Sequence, residues 1–212
     1  MKAFVITRYK GPLREADVAE PVVGDDDVLV QVHAAGLNQL DERIRLGEFK
    51  QILPYKLPLI LGNDLAGTVI NVGARVRGFK PGDEVYARPD KSRIGTFAER
   101  IAVAKGDLAL KPASISMAEA GSLPLVALTA WQALVERGKV RPGQKVLIHA
   151  GAGGVGSIAI QLARHLGASV ATTASASNAD FVRELGADTV IDYRTENFEQ
   201  ILDGYDFVLD SL

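Results

Sequence analysis

The 212-residue chain contains no cysteine. This absence excludes disulfides, thiolate nucleophiles and every zinc site that uses cysteine ligands. The sequence also lacks any uninterrupted apolar stretch as long as a membrane span. Its first residues, Met1–Thr7, have neither the apolar core nor the cleavage site of a signal peptide. We therefore expect a soluble protein of the cytoplasm that does not bind membranes.

The sequence also has no marked excess of positive or negative charge. Lysine and arginine total 24 against 26 acidic residues, for a net charge of −2. This balance argues against a broad basic surface for nucleic acid or anionic lipid. The three histidines have no second ligand at metal-binding spacing, so we predict structural roles for them and no metal site; they are His33, His149 and His165.

The most informative motif lies in residues 145–156, where an apolar strand runs directly into the pattern G-x-G-x-x-G. An apolar-periodic helix, Val155–Leu166, follows. In this order the glycines permit a tight turn, close approach of a pyrophosphate and close packing of the helix on the strand. The motif predicts a dinucleotide site, and the alternative is a glycine-rich crossover that binds nothing. The predicted contacts are Gly151, Ala152, Gly153, Gly154, Val155 and Gly156.

The next predicted strand, Ala168–Ala174, indicates which dinucleotide is bound. Sites specific for NAD usually place an acidic residue about 20 residues past the glycines, to hold the ribose 2′-hydroxyl. No acidic residue occurs between Gly156 and Asp180. The small polar cluster there favours NADP(H), although it offers no lysine or arginine to a 2′-phosphate. Its members are Ser175, Ser177 and Asn178, and the alternative is that one of the last two caps the next helix.

The predicted elements divide the chain into two parts. Residues 1–123 are β-rich and punctuated by glycine and proline, which is typical of a small barrel or sandwich. A capping-box pattern at Ser116–Glu119 marks a helix start. In residues 124–212 an apolar helix over 125–136 precedes alternating strands and helices, which predicts an α/β domain with a parallel sheet. Only four strands are predicted, whereas a complete doubly wound sheet has six, so this domain is expected to be incomplete.

Several segments together resemble the medium-chain dehydrogenase/reductase superfamily, in its zinc-free quinone oxidoreductase-like branch. The segments that carry the resemblance are residues 62–73, 76–86, 128–134, 150–156 and 185–193. The resemblance implies a GroES-like domain in residues 1–123. It also implies the N-terminal part of a Rossmann domain in residues 124–212. Relatives of this type often form homodimers, so a homodimer is a further expectation.

The resemblance also bears on metal and substrate. Zinc-dependent relatives carry a cysteine in the loop that here spans residues 35–41, and His-Glu where this chain has Asn63-Asp64. Asparagine is a poor zinc ligand. Without a Lewis acid, we expect hydride transfer to a carbon that is already electron-poor, in a quinone or an α,β-unsaturated carbonyl. Hydrogen bonds would stabilise the oxygen that gains charge.

The predicted catalytic residues are Asn38, Asp41 and Asn63, with Asp64 behind them. Asn38 is the expected amide donor near the nicotinamide. The alternatives are that Asn38 only shapes its turn and that Asp41 caps or solvates the following helix.

Tyr55 is the fourth predicted catalytic residue. Enoyl reductases of the family often place a tyrosine after the glycine that corresponds to Gly47, and here Phe49 occupies that region. Phe49 cannot donate a proton, so nearby Tyr55 is a substitute donor or a packing residue.

Three further residues match family positions beside the cofactor: Thr129, Tyr193 and Ser211. The alternatives are a buried hydroxyl bonded within its helix for Thr129, and a strand-end core residue for Tyr193.

The leading hypothesis is an NADPH-dependent, zinc-free reductase of quinones or α,β-unsaturated carbonyls. Two alternatives remain open. One is a trans-2-enoyl thioester reductase, against which Phe49 argues. The other is a nucleotide-binding or interaction fragment without catalysis.

Overall fold

The computed structural model describes residues 1–211. The chain divides into two compact units, Met1–Leu125 and the remainder from Val126 onward. Among residues 1–211, no helix is both long enough and apolar enough to cross a bilayer.

The first unit is built from two antiparallel sheets. A three-stranded sheet has the order β2-β1-β4 and a five-stranded sheet the order β7-β3-β5-β6-β8. The strands are β1 (Lys2–Ile6), β2 (Arg14–Asp17), β3 (Asp27–Ala34), β4 (Leu59–Ile60), β5 (Leu65–Val72), β6 (Glu84–Ala87), β7 (Arg100–Ala104) and β8 (Leu108–Leu110). The helices are α1 (Gln39–Leu46) and α2 (Met117–Ser122), with a 3-10 turn at Lys105–Asp107.

The core of the five-stranded sheet follows from the alternation in its central strands. Val28 and Val30 of β3 are fully buried, and Leu65 and Val69 of β5 lie in the same apolar cluster. Because successive side chains of a strand point to opposite faces, this alternation buries one face of the sheet. The predicted β-rich domain is thereby confirmed as two sheets around apolar clusters.

The capping box predicted at α2 is present. The backbone nitrogen of Glu119 donates to Ser116 Oγ at 3.2 Å, and Ser116 N donates to the Glu119 carboxylate at 2.7 Å. These two bonds satisfy donors that the first helical turn leaves open.

The strand predicted over residues 96–103 begins later than expected, at Arg100. Before it, Gly95 N and Thr96 N donate to Gly62 O, and Phe97 N donates to Leu61 O. The segment therefore pairs with the chain that follows β4 before it joins β3, and local alternation does not report such a change of partner.

The second unit is a four-stranded parallel sheet with helices between its strands. Its order is β11-β10-β9-β12. The strands are β9 (Lys145–Ile148), β10 (Ser169–Ala174), β11 (Thr189–Asp192) and β12 (Phe207–Leu209). The helices are α3 (Pro124–Trp131), whose first two residues still belong to the first unit, α4 (Gly154–His165), α5 (Ala179–Glu184) and α6 (Phe198–Ile201), with a 3-10 turn at Ala176–Asn178. The order places β9 and β10 in the middle of the sheet, which agrees with their nearly continuous burial.

The helix predicted over residues 125–136 is only partly α-helical. It changes at Gln132–Arg137 into a π-helical segment, in which Gly138 N donates to Ala133 O, five residues back, at 2.7 Å. Leu134 in this segment is fully buried in the apolar core of the second unit. Apolar periodicity predicts the helix but does not separate these two hydrogen-bond patterns.

Candidate functional site

The glycine-rich turn joins β9 to α4 and packs directly on β10. Ala150 adopts a left-handed conformation with φ of 52°, and Gly151 N donates to Thr173 O at 2.9 Å. A Cβ at Gly151 would lie 2.0 Å from Thr172 Oγ1. Such an approach is impossible for a side chain, so residue 151 must be glycine if the turn is to lie against β10.

Gly156 allows α4 to begin close to the turn. A Cβ at this position would lie 2.3 Å from the carbonyl oxygen of Ala150 and 2.8 Å from Gly151 Cα. Both neighbours are backbone atoms and cannot rotate away. The close packing of helix and turn therefore depends on glycine here, as the motif predicts.

The N-terminus of α4 is open to an anion. Gly153 occupies the N-cap position and brings no side chain, so no described side chain caps the first turn. The N–H groups at a helix N-terminus carry partial positive charge and bind phosphate groups. The open N-terminus of α4 fits the pyrophosphate of a dinucleotide, and Gly151–Gly156 are the residues that would hold it.

The polar cluster predicted to bind the 2′-phosphate lies directly after β10, and its role stays a prediction. Ser175 Oγ and Ser177 Oγ lie 3.0 Å apart in hydrogen-bond contact. Asn178 stands at the N-cap position of α5, but within residues 1–211 its side chain forms no capping hydrogen bond there. The Ser177 hydroxyl bonds to Ser175 instead. The helix-cap alternative is thus not observed, and Ser177 and Asn178 are exposed.

A cavity of about 730 Å³ lies at the carboxyl ends of the parallel strands. In open α/β sheets ligands bind at this edge. Its lining comprises His149, Ala150, Thr173, Ile191, Tyr193, Glu196, Asn197, Phe198 and Asp210. The cavity and the glycine turn share Ala150, so they form one candidate nucleotide site within the second unit.

His149 is a lining residue for which the sequence predicted only a structural role. Its Nδ1 lies 3.2 Å from Thr173 Oγ1, and its ring packs edge-to-face against Phe198 with 4.8 Å between centroids. The signal that could have identified it is its position, at the end of β9 and directly before the glycine turn. Phe198 and Asn197 carried no such signal, because they lie at the start of the short helix α6 and away from any strand end or glycine motif.

Thr129, Tyr193 and Ser211 belong to the second unit by sequence, and their roles stay predictions. Thr129 on α3 is exposed, which contradicts the alternative of a buried hydroxyl. Tyr193 is 59% exposed and lines the cavity, which contradicts the alternative of a core residue. Ser211 is exposed and follows β12 by two residues.

In the first unit, the predicted catalytic residues form a hydrogen-bonded cluster around Asp41. Asp41 Oδ2 accepts from Asn38 N at 2.8 Å, and Asp41 Oδ1 accepts from Asn63 Nδ2 at 2.8 Å and Gly62 N at 3.2 Å. Asp41 is buried, and burial raises the pKa of its carboxyl above the ordinary value. The capping part of the alternative for Asp41 is observed, and solvation is not.

Asp64 completes this cluster. Its Oδ2 accepts from Asn38 Nδ2 at 2.9 Å, and its Oδ1 accepts from Leu125 N at 2.8 Å. The side chain is fully buried, and burial raises the pKa of Asp64 to about 6. Asn38 is therefore fixed at two points, by its backbone to one buried carboxylate and by its amide to another.

Zinc does not fit this cluster. The Asn38 and Asn63 amide nitrogens donate to carboxylates, and asparagine is a poor zinc ligand. Within the described part of the chain, no group of three His, Cys, Asp or Glu side chains is placed to hold a metal ion. The Asn63 Oδ1 atom is buried and has no hydrogen-bond partner among the described residues, so one acceptor in the cluster remains unsatisfied.

Tyr55 is not joined to the cluster by a hydrogen bond. Its hydroxyl donates to the carbonyl oxygen of Lys91 at 2.7 Å, and its ring packs with Phe49 against the buried residues Ile6, Ile44 and Leu61. Burial raises the pKa of the phenol. The structure thus brings Asn38, Asp41 and Asn63 together but leaves Tyr55 engaged elsewhere, and its role as a proton donor stays a prediction.

Comparisons with known families and proteins agree with this architecture. Residues 24–113 match the alcohol dehydrogenase GroES-like domain, and residues 154–212 match the zinc-binding dehydrogenase family. The chain is 45% identical to 2-methylene-furan-3-one reductase of Solanum lycopersicum and 44% identical to the chloroplastic NADPH-dependent alkenal/one oxidoreductase of Arabidopsis thaliana. Each alignment covers 100% of this chain but 57% of the relative, so the chain spans little more than half the length of these relatives.

A solved structure gives the same result. The quinone oxidoreductase of Coxiella burnetii is 37% identical and superimposes with a TM-score of 0.89, over 99% of this chain and 68% of that protein. The fold and the sequence similarity thus agree along nearly the whole chain. The chain belongs to the medium-chain dehydrogenase/reductase superfamily, in its quinone oxidoreductase-like branch.

Proposed function

We propose that the full-length protein is an NADPH-dependent, zinc-independent reductase of quinones or α,β-unsaturated carbonyls. The observation that carries the proposal is the open N-terminus of α4 behind a turn that requires glycine at residue 151. In this proposal residues 1–123 form the substrate-side domain and residues 124–212 belong to the NADPH-binding domain.

The choice of NADPH is supported by the cluster after β10. Ser175, Ser177 and Asn178 stand where sites specific for NAD place a carboxylate, and a carboxylate there would repel a 2′-phosphate. The Arabidopsis relative is named as NADPH-dependent. We therefore infer tighter binding of NADPH than of NADH.

Bound NADPH would supply the hydride that reduces an electron-poor carbon of the substrate. This chain contributes the groups that stabilise the oxygen on which negative charge develops. An asparagine amide carries two N–H donors, and Asn38 uses one of them on Asp64. The second donor is the group we assign to the enolate or hydroquinone oxygen.

Asp41, Asn63 and Asp64 are assigned to positioning Asn38. Asp64, with a pKa of about 6, is largely ionised at neutral pH and keeps the amide nitrogen of Asn38 turned toward it. Asp41 holds the Asn38 backbone and also binds Asn63. Fixed donors of this kind need no reorganisation during the reaction, which is the main advantage of such a site over water.

The substrate class follows from the family and from the names of the relatives. A 2-methylene-furan-3-one and an alkenal both contain a carbon–carbon double bond conjugated to a carbonyl. Such a carbon accepts hydride without a metal to polarise the carbonyl. A quinone offers the same electron-poor carbon or oxygen.

The test is NADPH oxidation by the full-length protein with 3-buten-2-one, 1,4-benzoquinone and a crotonyl thioester, followed at 340 nm with product analysis. We expect turnover with the enone or the quinone, and slower turnover with NADH. Turnover of the thioester alone would favour the enoyl reductase instead. Binding of NADPH without oxidation by any of the three would contradict the reductase assignment and favour a nucleotide-binding protein.

A cytoplasmic location and a homodimer are further parts of this proposal. The Arabidopsis relative is named as chloroplastic, so location requires its own measurement. Cell fractionation of the tagged full-length protein tests the first, and light scattering after gel filtration tests the second.

A further inference from the structure

We propose that Arg194 supplies the positive charge for the 2′-phosphate of NADPH and thereby sets the preference for NADPH over NADH. The inference rests on the proposed function, because it concerns the cofactor of the same site. The Ser175–Asn178 cluster contains no lysine or arginine, so the positive charge for a 2′-phosphate must come from another segment.

The sheet register brings Arg194 to the same edge as this cluster. Strands β10 and β11 are parallel neighbours, with Ala174 opposite Asp192. Ser175 follows the first strand, and Tyr193 and Arg194 follow the second. Neighbouring strands lie about 4.8 Å apart, and an arginine side chain spans that distance. The register therefore brings residues 19 positions apart in the sequence to the same edge of the sheet.

In the described part of the chain, Arg194 is a cation without an acidic partner. Within the described chain no carboxylate forms an ion pair with its guanidinium group. Arg183 on the adjacent α5 is paired with Asp180 at 3.0 Å. Arg183 is thus already paired, whereas the guanidinium group of Arg194 is available to bind an anion.

The two carboxylates nearest to Arg194 in the sequence, Asp192 and Glu196, form hydrogen bonds within the loop after β11. Asp192 Oδ1 accepts from the backbone nitrogen of Arg194 at 3.1 Å, and Glu196 Oε2 accepts from the backbone nitrogen of Asp192 at 2.8 Å. Both carboxylates are thus used to shape the loop. These two carboxylates bind backbone nitrogens, and the Arg194 guanidinium group contacts the Tyr193 ring instead.

Tyr193 links the Arg194 guanidinium group to the rim of the cavity. The central carbon of the Arg194 guanidinium lies 5.7 Å from the centroid of the Tyr193 ring, within cation–π range. Tyr193 in turn lines the 730 Å³ cavity at the strand ends. A planar guanidinium group held at the rim can form paired hydrogen bonds to phosphate oxygens.

The experiment is calorimetric titration of the full-length protein with four probes: NADPH, NADH, adenosine 2′,5′-bisphosphate and 5′-AMP. The test variant is Arg194→Gln and the matched control is Arg183→Gln, which removes another exposed arginine from the neighbouring element. We expect Arg194→Gln to raise the dissociation constants of NADPH and of the bisphosphate by about 10- to 100-fold, because a charge-assisted hydrogen bond is lost. NADH and 5′-AMP should change by less than about twofold, and Arg183→Gln should leave all four unchanged.

The outcomes separate the two claims. If the unmodified protein prefers NADPH and Arg194→Gln keeps that preference, the inference about Arg194 is wrong and the proposed function stands. If the unmodified protein binds neither dinucleotide, or does not prefer NADPH, the proposed cofactor is wrong and the inference falls with it. Circular dichroism of both variants confirms that a loss of affinity is not a loss of fold.

Discussion

The side-chain amide of Asn38 donates a hydrogen bond to the buried carboxylate of Asp64, with 2.9 Å between Nδ2 and Oδ2. The two residues are 26 positions apart, one before α1 and the other before β5. The bond joins the loop that carries the predicted catalytic amide to the start of a core strand. Asn38 Nδ2 and the backbone nitrogen of Leu125 are the two donors that stabilise the negative charge of the buried Asp64 carboxylate.

The first prediction concerns the pH dependence that Asp64 creates. Its pKa rises from the ordinary value of 3.8 to about 6 on folding, so between these values the native state binds more protons than the unfolded state. The Asp64 contribution to the free energy of unfolding is therefore fully present below about pH 4 and is lost as the pH rises through about 6. The loss amounts to at most about 3 kcal/mol. Asp64→Asn removes this dependence, and urea unfolding at several pH values measures it.

The control for this prediction is Asp17→Asn, which alters an exposed carboxylate in the same unit. The difference in stability between Asp64→Asn and the unmodified protein should grow in favour of the variant as the pH rises from about 4 to about 6. A difference that stays constant over this range would show that Asp64 titrates normally.

The second prediction concerns Asn38 as the catalytic donor. Asn38→Ala should lower kcat of the full-length protein by about 10- to 100-fold, because it removes a hydrogen bond made to developing charge. The dissociation constant of NADPH should change by less than about twofold, since the nucleotide turn is untouched. Gln39→Ala, which alters the next and exposed residue, is the control. An unchanged kcat would remove Asn38 from the catalytic assignment.

The third prediction concerns Gly151. A methyl group there would lie 2.0 Å from Thr172 Oγ1 and 2.9 Å from Ile160 Cδ1. Gly151→Ala should therefore destabilise the protein by about 2–4 kcal/mol, because the turn must move off β10. Thermal unfolding measures this, with Gly106→Ala as the control because its added Cβ meets no atom within 4 Å. Equal melting temperatures for the two variants would contradict the packing argument.

The fourth prediction separates binding from stability at Gly153. An added Cβ there meets only Ala150 O, at 3.2 Å, so Gly153→Ala should cost less than about 1 kcal/mol of stability. The methyl group narrows the open N-terminus of α4, and we expect NADPH to bind at least about tenfold more weakly. Calorimetry and thermal unfolding on the same sample test both halves. Unchanged affinity in a folded variant would show that the pyrophosphate does not approach Gly153.

The fifth prediction tests the cluster after β10. Ser177→Asp places a carboxylate beside the expected 2′-phosphate and should weaken NADPH binding by about tenfold or more, with little effect on NADH. Ser177→Asn is a neutral control of the same shape. If both variants weaken the binding of NADPH and of NADH to the same extent, Ser177 contributes to binding but does not distinguish NADPH from NADH.

The sequence by itself determined the elements of the second unit and the position of its nucleotide turn. The strand, the glycines and the helix of residues 145–166 are adjacent, so apolar periodicity and short-range sterics suffice to predict them. The parallel order of the four strands followed from the alternation of strands and helices. In the first unit the same reasoning predicted the capping box at Ser116, but it placed the strand over residues 96–103 too early.

Only the tertiary structure decided which distant side chains meet. It joined Asn38 to Asp64, directed the Tyr55 hydroxyl to Lys91 and set Arg194 at the same edge as Ser175. It also made Asp64 a carboxyl with a raised pKa, since burial is a property of the packed chain. Local patterns report the conformation of a few neighbouring residues. Contacts across 26 or 36 positions, and the placing of Arg194 beside β10, depend on sheet register and loop path, which the fold as a whole decides.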